Sequence, residues 1–220
     1  MRFRVVGDTI VFDDGGMNLL SSDALHELRD VIAGLRGCEV AKFRSGRSHI
    51  FAAGADMAEM ARFSASEAEA FARLGQETFD AIERLPCLTM AIVDGDCFGG
   101  ALDLILAFDL RFASARSRFS HPGGKIGIVT GFGGTSRWRK VVDSAAARRL
   151  FLGNEILDAQ SALEIGLIDG IGEPSGPPFD IATIRVIKDL IVRRDRLTQR
   201  DLALLAERLA ALYDAAGPRR

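Results

Sequence analysis

The stretch that decides the fold runs from residue 94 to residue 109 and reads "DGDCFGGALDLILAFD". It opens with glycines and other small residues and continues as an apolar helix that carries two acids. The first of these acids, Asp103, stands between Leu102 and Leu104. Because an ionised carboxylate is costly to bury without a partner, Asp103 needs either a buried partner or a chemical task.

Composition limits the classes of protein that this chain can belong to. The chain has 220 residues, of which 48% are hydrophobic, enough for one sizeable core. Its formal net charge is −2, without the basic bias of a nucleic-acid binder. The sequence shows no apolar core of a secretory signal, and no run near the roughly 18 apolar residues that span a bilayer. We therefore expect no nucleic-acid and no membrane partner.

The cysteines and histidines argue against a metal site. Cys38, Cys87 and Cys97 form an odd set without CxxC spacing, and the three histidines lie far apart in the sequence. A disulfide framework or a zinc site is therefore not expected, and a reducing cytoplasm is the natural compartment.

Strand-like pairs alternate with helical patterns along the chain. "FRVVGDTIVFDD" predicts a pair of short strands, and "SSDALHELRDVIAGLRG" predicts an amphipathic helix capped by Ser21 or Ser22. A longer helix follows at residues 64–85, and "CLTMAIVDGD" predicts a buried strand. The repeated strand–strand–helix order predicts an α/β domain.

The one linker-like cluster is "EPSGPP", residues 173–178. After it, residues 181–214 have the pattern of two amphipathic helices. We therefore predict a core domain over residues 1–172 and a helical C-terminal region over residues 173–220.

Two glycine-rich turns are candidates for binding a ligand. The sequence contains neither GxxxxGK[ST] nor GxGxxG in register, nor the GxSxG of a hydrolase. Instead, Gly54 and Ala55 lie at one strand-to-helix turn, and Gly99 and Gly100 lie at another. Two backbone N–H groups converging from such turns would form an oxyanion hole. The alternative is that these glycines only permit close packing of helix on strand.

Four segments resemble the crotonase superfamily, the enoyl-CoA hydratases and isomerases. They are "FAAGADMAEM", "AIVDGDCFGGALDLILAFDLRFAS", "FSHPGGKIGIVTGFGGTSRW" and "LDAQSALEIGLIDGI". They occur in the order and spacing of the family, and the resemblance covers roughly residues 1–172. It implies a spiral of ββα units with a helical C-terminal region, assembled as a homotrimer or a dimer of trimers. It also implies binding of an acyl-CoA thioester as substrate, without a further cofactor or metal.

The resemblance assigns roles to individual residues. Ala55 and Gly100 would donate the two N–H groups of the oxyanion hole, and Asp103 would be a catalytic acid. The site for the substrate and its CoA would include the residues of the two turns and of the later loop: Ala53, Asp56, Met57, Gly99 and Gly123.

Two positions depart from the pattern of the family's hydratases. Asp103 stands where the first catalytic glutamate is expected, and Gly123 stands where the second acid is expected. His121 is a possible auxiliary acid–base group, because strand alternation would place residues 121 and 123 on one side. It is equally a candidate for a hydrogen-bonded structural histidine.

The remaining polar and aromatic residues of these segments suggest simpler roles. Asp96 is expected in a turn, and Asp109 in a structural role. Arg137, Arg139 and Lys140 are expected at the surface or against CoA phosphates from a neighbouring subunit. The aromatic side chains are expected in the core or in the wall of a pocket: Phe98, Phe119, Phe132 and Trp138.

The sequence leaves three functions open. The first is an enoyl-CoA hydratase/isomerase-like enzyme of fatty acid metabolism with a non-standard acid set. The second is an acyl-CoA decarboxylase or thioester hydrolase that keeps the oxyanion hole. The third is a CoA-binding or structural homologue without catalytic activity.

Overall fold

The computed structural model describes residues 1–35 and 37–174, together with the single positions 184, 187, 188 and 207. The chain divides into two compact units, Met1–Gly176 and Pro177–Arg220. The fold below is that of the first unit. The two helices predicted within residues 181–214 lie outside the described residues, apart from these four single positions.

Two mixed sheets and one strand pair form the β-structure. The main sheet has six strands in the order β1 (Phe3–Val6), β2 (Thr9–Phe12), β4 (Val40–Ser45), β7 (Leu88–Val93), β9 (Leu110–Ala113) and β12 (Gly170–Ile171). The second sheet has the order β11 (Leu157–Asp158), β10 (Arg118–Ser120), β8 (Asp96–Phe98) and β5 (Ile50–Ala52). The strands β3 (Leu19–Leu20) and β6 (Gly54–Ala55) pair with each other.

The chain order explains this layout. The strands β4, β7 and β9 lie side by side and parallel in the main sheet. Each is followed by a strand of the second sheet, namely β5, β8 and β10. A helix comes directly after β8 and β10, and it comes after the short strand β6 in the case of β5. This is the predicted succession of ββα units, which gives a spiral α/β fold. The antiparallel β1–β2 hairpin, also predicted, closes one edge of the main sheet.

Within residues 1–174, eight α-helices and a 3-10 helix at Trp138–Lys140 complete the fold. The α-helices are α1 (Ser22–Gly34), α2 (Met57–Met60), α3 (Ala65–Glu83), α4 (Gly100–Ile105), α5 (Gly123–Ile126), α6 (Gly134–Arg137), α7 (Ser144–Phe151) and α8 (Ala159–Glu164). Ser21 caps α1, as one of the two predicted candidates. Ser64 and Glu67 form a capping box at the start of α3.

The long helix predicted at residues 64–85 forms as α3, Ala65–Glu83, and it buries an apolar face that extends to Leu85. Its five large side chains are all buried: Phe71, Leu74, Phe79, Ile82 and Leu85. On the main sheet, the rings of Phe3 and Phe12 stack with centroids 4.4 Å apart, and Phe43 packs against both. The core therefore lies between the sheet and the helices, as period-2 and period-3.6 patterning requires.

Asp14 fixes the connection between β2 and β3. Its carboxylate accepts backbone N–H bonds from Gly16, Asn18 and Leu19 at 2.7–2.9 Å. Partial burial would raise the pKa of this carboxyl, but the backbone donors outweigh it and leave the pKa below its usual value. The loop therefore stabilises β3, which in turn pairs with the strand that carries Ala55.

Candidate active site

The first glycine-rich turn places Ala55 on the short strand β6. Leu20 of β3 pairs with Ala55, and the next residue, Asp56, donates its N–H to the Leu20 carbonyl at 3.2 Å. Because successive amides of an extended strand point to opposite sides, the Ala55 N–H is directed away from β3. Gly54 has φ +102°, a conformation that glycine adopts without strain.

The second glycine-rich turn starts helix α4. Gly99 has φ +56° and donates its N–H to the Ser120 carbonyl at 2.9 Å. Gly100 is the first residue of α4. The first amides of a helix have no intrahelical acceptor, so the Gly100 N–H is available to a ligand.

The two turns are in direct contact. A Cβ atom built on Gly54 would lie 2.7 Å from the Phe98 carbonyl oxygen and 3.1 Å from the Gly100 nitrogen. A Cβ built on Gly100 would lie 3.4 Å from the Ala55 nitrogen. With standard bond lengths, the latter contact puts the Ala55 and Gly100 nitrogens within about 6 Å of each other. The structure therefore brings the two predicted donors together.

Asp103 is completely buried on α4, three residues after Gly100. The hydroxyl of Thr130 donates a short hydrogen bond to its Oδ2. Its Oδ1 has no hydrogen-bond partner among the described residues. The carboxylate also lies directly on Gly134, where an added Cβ would be 1.8 Å from Oδ1. One half of the carboxylate is thus held in place, and the other half is left without a donor.

His121 faces that unsatisfied oxygen. Its Nε2 lies 3.5 Å from Asp103 Oδ1 and, within the described part of the chain, has no hydrogen-bond partner. The ring is buried and packs against Phe151, with centroids 4.9 Å apart. The structure therefore pairs a buried imidazole with a buried carboxylate at the point where the sequence predicted a catalytic acid.

The imidazole also occupies the space beside Gly123. A Cβ on Gly123 would lie 3.1 Å from His121 Cε1, 3.2 Å from His121 Nδ1 and 2.6 Å from the Ile128 carbonyl oxygen. The closeness of residues 121 and 123 was expected from strand alternation, but that reason is wrong. The strand β10 ends at Ser120, and a helical turn begins at Gly123. The turn, rather than alternation, folds His121 onto Gly123.

A buried arginine anchors the loop that covers Asp103. Arg137 is only 4% exposed, so its expected place at the surface is wrong. Its guanidinium donates to the Phe132 carbonyl at 2.7 Å and forms a short ion pair with Asp80 of α3. The Phe132 ring in turn lies against Gly100, where a Cβ would be 2.9 Å from the ring. Arg137 therefore positions both Phe132 and the start of α6 beside the two turns.

Three of the residues expected to contact substrate or CoA lie within two positions of Ala55. The Asp56 carboxylate caps α2, accepting from the N–H groups of Ala58 and Glu59 at 2.9 and 3.0 Å. Met57 is 45% exposed, and the Ala53 N–H donates to the Met17 carbonyl at 3.0 Å. Asp56 thus has a structural task as well, and Met57 offers apolar surface to solvent.

The other acids of the opening stretch have structural partners. Asp109 accepts from the backbone N–H and the hydroxyl of Thr89, both at 2.8 Å. Asp96 lies at the start of β8 and forms a two-pronged ion pair with Arg118. The contacts of Asp109 agree with the structural role expected for it. The turn expected at Asp96 is wrong, because this residue begins the strand β8.

Cys97 lies close enough to the Asp103 carboxylate to be affected by its charge. Burial, assisted by the negative charges of Asp103 and Asp96, raises the pKa of the Cys97 thiol well above its usual value.

Within the described residues, no group of three or more His, Cys, Asp or Glu side chains could hold a metal ion. The same part of the chain contains no helix with the length and apolarity needed to cross a bilayer.

The sequence did not predict that Thr130 and Gly134 contact Asp103, or that Arg137 is buried. All three lie on or next to the loop that follows α5. Nothing in the spacing of the "GFGG" glycines, residues 131–134, indicates that this segment packs on Asp103.

Solved structures show which class of protein this fold defines. The chain superposes on an enoyl-CoA hydratase from Thermoplasma volcanium with a TM-score of 0.83, covering 96% of this chain and 90% of that one at 23% identity. It also superposes on DspI from Pseudomonas aeruginosa with a TM-score of 0.82, covering 97% and 95% of the two chains at 28% identity. The protein has a crotonase-like α/β fold.

Sequence comparison gives the family. The family model described as enoyl-CoA hydratase/isomerase matches residues 9–174. A crotonyl-CoA hydratase from Syntrophomonas wolfei is 34% identical over 161 residues, which are 72% of this chain and 62% of that protein. The chain therefore belongs to the enoyl-CoA hydratase/isomerase family, and it spans about three-fifths of the length of this relative.

Proposed function

We propose that the protein binds an enoyl-CoA thioester and adds water across its double bond, with an acid–base pair formed by Asp103 and His121. The observation that carries this proposal is the buried contact between Asp103 Oδ1 and His121 Nε2, 3.5 Å apart and without other partners in the described part of the chain. Membership of the enoyl-CoA hydratase/isomerase family supports the substrate class.

The thioester carbonyl would accept hydrogen bonds from the N–H groups of Ala55 and Gly100. Addition of water to the β-carbon moves negative charge onto this oxygen, and an enolate forms. Preorganised N–H donors stabilise such charge, and removing one donor from a comparable site slows catalysis by about 10²–10³. The contact between the two turns supports this role for both residues.

Asp103 would accept the proton of the attacking water, and the imidazolium of His121 would protonate the α-carbon. The hydroxyl group of the water is then bonded to the β-carbon, and the other hydrogen of the water is on Asp103 as a proton. His121 has lost one proton to the α-carbon. A proton transfer from Asp103 Oδ1 to His121 Nε2 restores both groups. General acid–base catalysis of this kind contributes about 10²–10⁴ in rate.

His121 would thus supply the function of the acid that is missing at Gly123. Its ring already fills the space beside that position. Thr130 would hold the other oxygen of Asp103, and so keep Oδ1 directed at the imidazole.

One observation favours a second function, the binding of an acyl-CoA without hydration. Asp103 has no exposed surface, so substrate and water reach it only if the loop over it moves. An acyl-CoA-binding protein without hydratase activity would need no such movement.

Replacement of Asp103 tests the proposal. In Asp103→Asn, we expect kcat for a short enoyl-CoA to fall at least about 100-fold, while the affinity for a saturated acyl-CoA stays within about threefold. Asp109→Asn is the matched control, because it makes the same chemical change in the same sequence segment, against Thr89 and outside the site. It should keep kcat per folded molecule.

His121→Gln completes the test. If the two groups act as a unit, the double variant should lose little more than either single variant. An Asp103→Asn variant as active as the wild type would overturn the assignment of the acid. Wild-type binding of acyl-CoA without hydration would favour the second function.

A further inference from the structure

Two cysteines that are distant in the sequence meet at one end of the main sheet. Cys38 follows helix α1 and lies two residues before β4, and Cys87 follows helix α3 and lies directly before β7. Their sulfur atoms are 2.7 Å apart. A disulfide bond is about 2.05 Å long, so little movement separates this contact from a covalent bond.

The surrounding backbone holds the two residues in register. The strands β4 and β7 are parallel neighbours, with Val40 opposite Leu88. The Leu88 N–H donates to the Glu39 carbonyl at 3.1 Å, and these two residues directly follow the two cysteines. The pairing of β4 with β7 therefore brings the two sulfur atoms together, and their contact does not require a loop to move.

We propose that Cys38 and Cys87 are a thiol pair that a low-molecular-weight disulfide oxidises to a reversible intramolecular disulfide. This site is separate from Asp103 and independent of the proposed function. Cys38 is half-buried and can be reached from solvent, whereas Cys87 has no exposed surface. Cys38 is thus the thiol that reacts first with the small disulfide, and the buried Cys87 resolves the mixed disulfide.

The oxidation of the two thiols takes place in two thiol–disulfide exchange steps. The Cys38 thiolate attacks one sulfur of oxidised glutathione, forms a mixed disulfide and releases one glutathione thiol. The Cys87 thiolate then attacks the Cys38 sulfur and releases the second glutathione thiol. Two protein thiols are oxidised, one glutathione disulfide is reduced, and the two thiol protons pass to the two leaving thiolates.

Cys97 is an internal control. It is completely buried, and its pKa is raised by that burial and by the charge of Asp103. Because the thiolate is the reactive species, Cys97 should not react while the chain is folded.

The test is mass spectrometry of the full chain after exposure to oxidised glutathione. We expect the folded wild type to lose two hydrogen atoms, to yield a Cys38–Cys87 cross-linked peptide, and to return to its starting mass with dithiothreitol. Cys97→Ala should behave in the same way. The chain unfolded in urea, treated identically, shows that the oxidant is competent.

Single variants separate the two steps. Cys87→Ser should stop at one glutathione attached to Cys38, because the resolving thiol is absent. Cys38→Ser should gain neither a bridge nor a glutathione. The bridge closes a loop of about 50 residues and should raise the midpoint of thermal unfolding by on the order of 5–10 °C.

Three results would overturn the proposal. The first is a stable mixed disulfide at Cys38 in the folded wild type. The second is a bridge to Cys97. The third is no reaction at Cys38 under conditions in which the unfolded chain reacts.

Discussion

Gly134→Ala should displace the carboxylate at the centre of the site. The added methyl group would lie 1.8 Å from Asp103 Oδ1 and 2.6 Å from its Cγ. Since comfortable contacts are about 3.5–4 Å, the carboxylate and the start of α6 must separate by more than about 1 Å. A shift of that size in a catalytic group costs on the order of 100-fold in rate. Overpacking of a buried site costs about 1–3 kcal/mol of unfolding free energy.

Thermal unfolding and enoyl-CoA hydration would measure the two effects. For a chain of this size, the expected loss of stability lowers the melting midpoint by about 2–10 °C. Gly34→Ala is the matched control, because a Cβ there meets nothing within 4 Å at the end of α1. That change should leave turnover unaltered and stability equal or slightly higher.

A double-mutant cycle identifies the contact responsible. In an Asp103→Ala background, the obstructing carboxylate is absent, so Gly134→Ala should cost much less stability than it does in the wild type. Equal costs in both backgrounds would place the strain elsewhere. A Gly134→Ala protein with wild-type turnover and melting midpoint would refute the reasoning altogether.

Three further changes test the surroundings of the site. Gly123→Glu should lower the melting midpoint and leave hydration unimproved, since its Cβ would be 2.6 Å from the Ile128 carbonyl oxygen; a gain in hydration would contradict this. Asp14→Asn should cost about 1–3 kcal/mol at neutral pH, measured by urea unfolding. The pKa of Asp14 is lowered in the folded state, so the wild type should lose the stability that the Asp14 carboxylate contributes as the pH falls below about 4. The free energy of unfolding of Asp14→Asn should therefore vary less with pH than that of the wild type. Parallel pH profiles of the two proteins would contradict this role of Asp14. Arg137→Lys keeps the charge but loses the planar fork, so it should reduce both the melting midpoint and kcat; unchanged values would show that Arg137 does not anchor the loop at Phe132.

The sequence predicted those parts of the fold that local patterns determine. The buried face of α3 and the cap at Ser21 follow from patterns within one element, and the ββα succession follows from the order of such patterns along the chain. The resemblance to the crotonase superfamily, carried by four segments, is confirmed. Ala55, Gly100 and Asp103 could be named because each lies in such a segment. The trimer, the cytoplasmic location and the boundary at residues 172–173 stay predictions.

The sequence could not predict contacts that depend on how distant segments pack. Thr130 meets Asp103 across 27 residues, and no local pattern relates the two. Alternation places residues 121 and 123 on one side only in a continuing strand, whereas the chain turns into a helix at Gly123. The motif around Gly123 likewise does not reveal the carbonyl of Ile128 that lies beside this position.

The measurement that tests the central claim most directly is a crystal structure of the protein with a non-reactive acyl-CoA analogue. We expect the thioester oxygen to lie about 3 Å from both the Ala55 and the Gly100 nitrogens, with the α-carbon next to the Asp103–His121 pair. A thioester bound elsewhere, or one whose oxygen points away from both nitrogens, would contradict the proposed function.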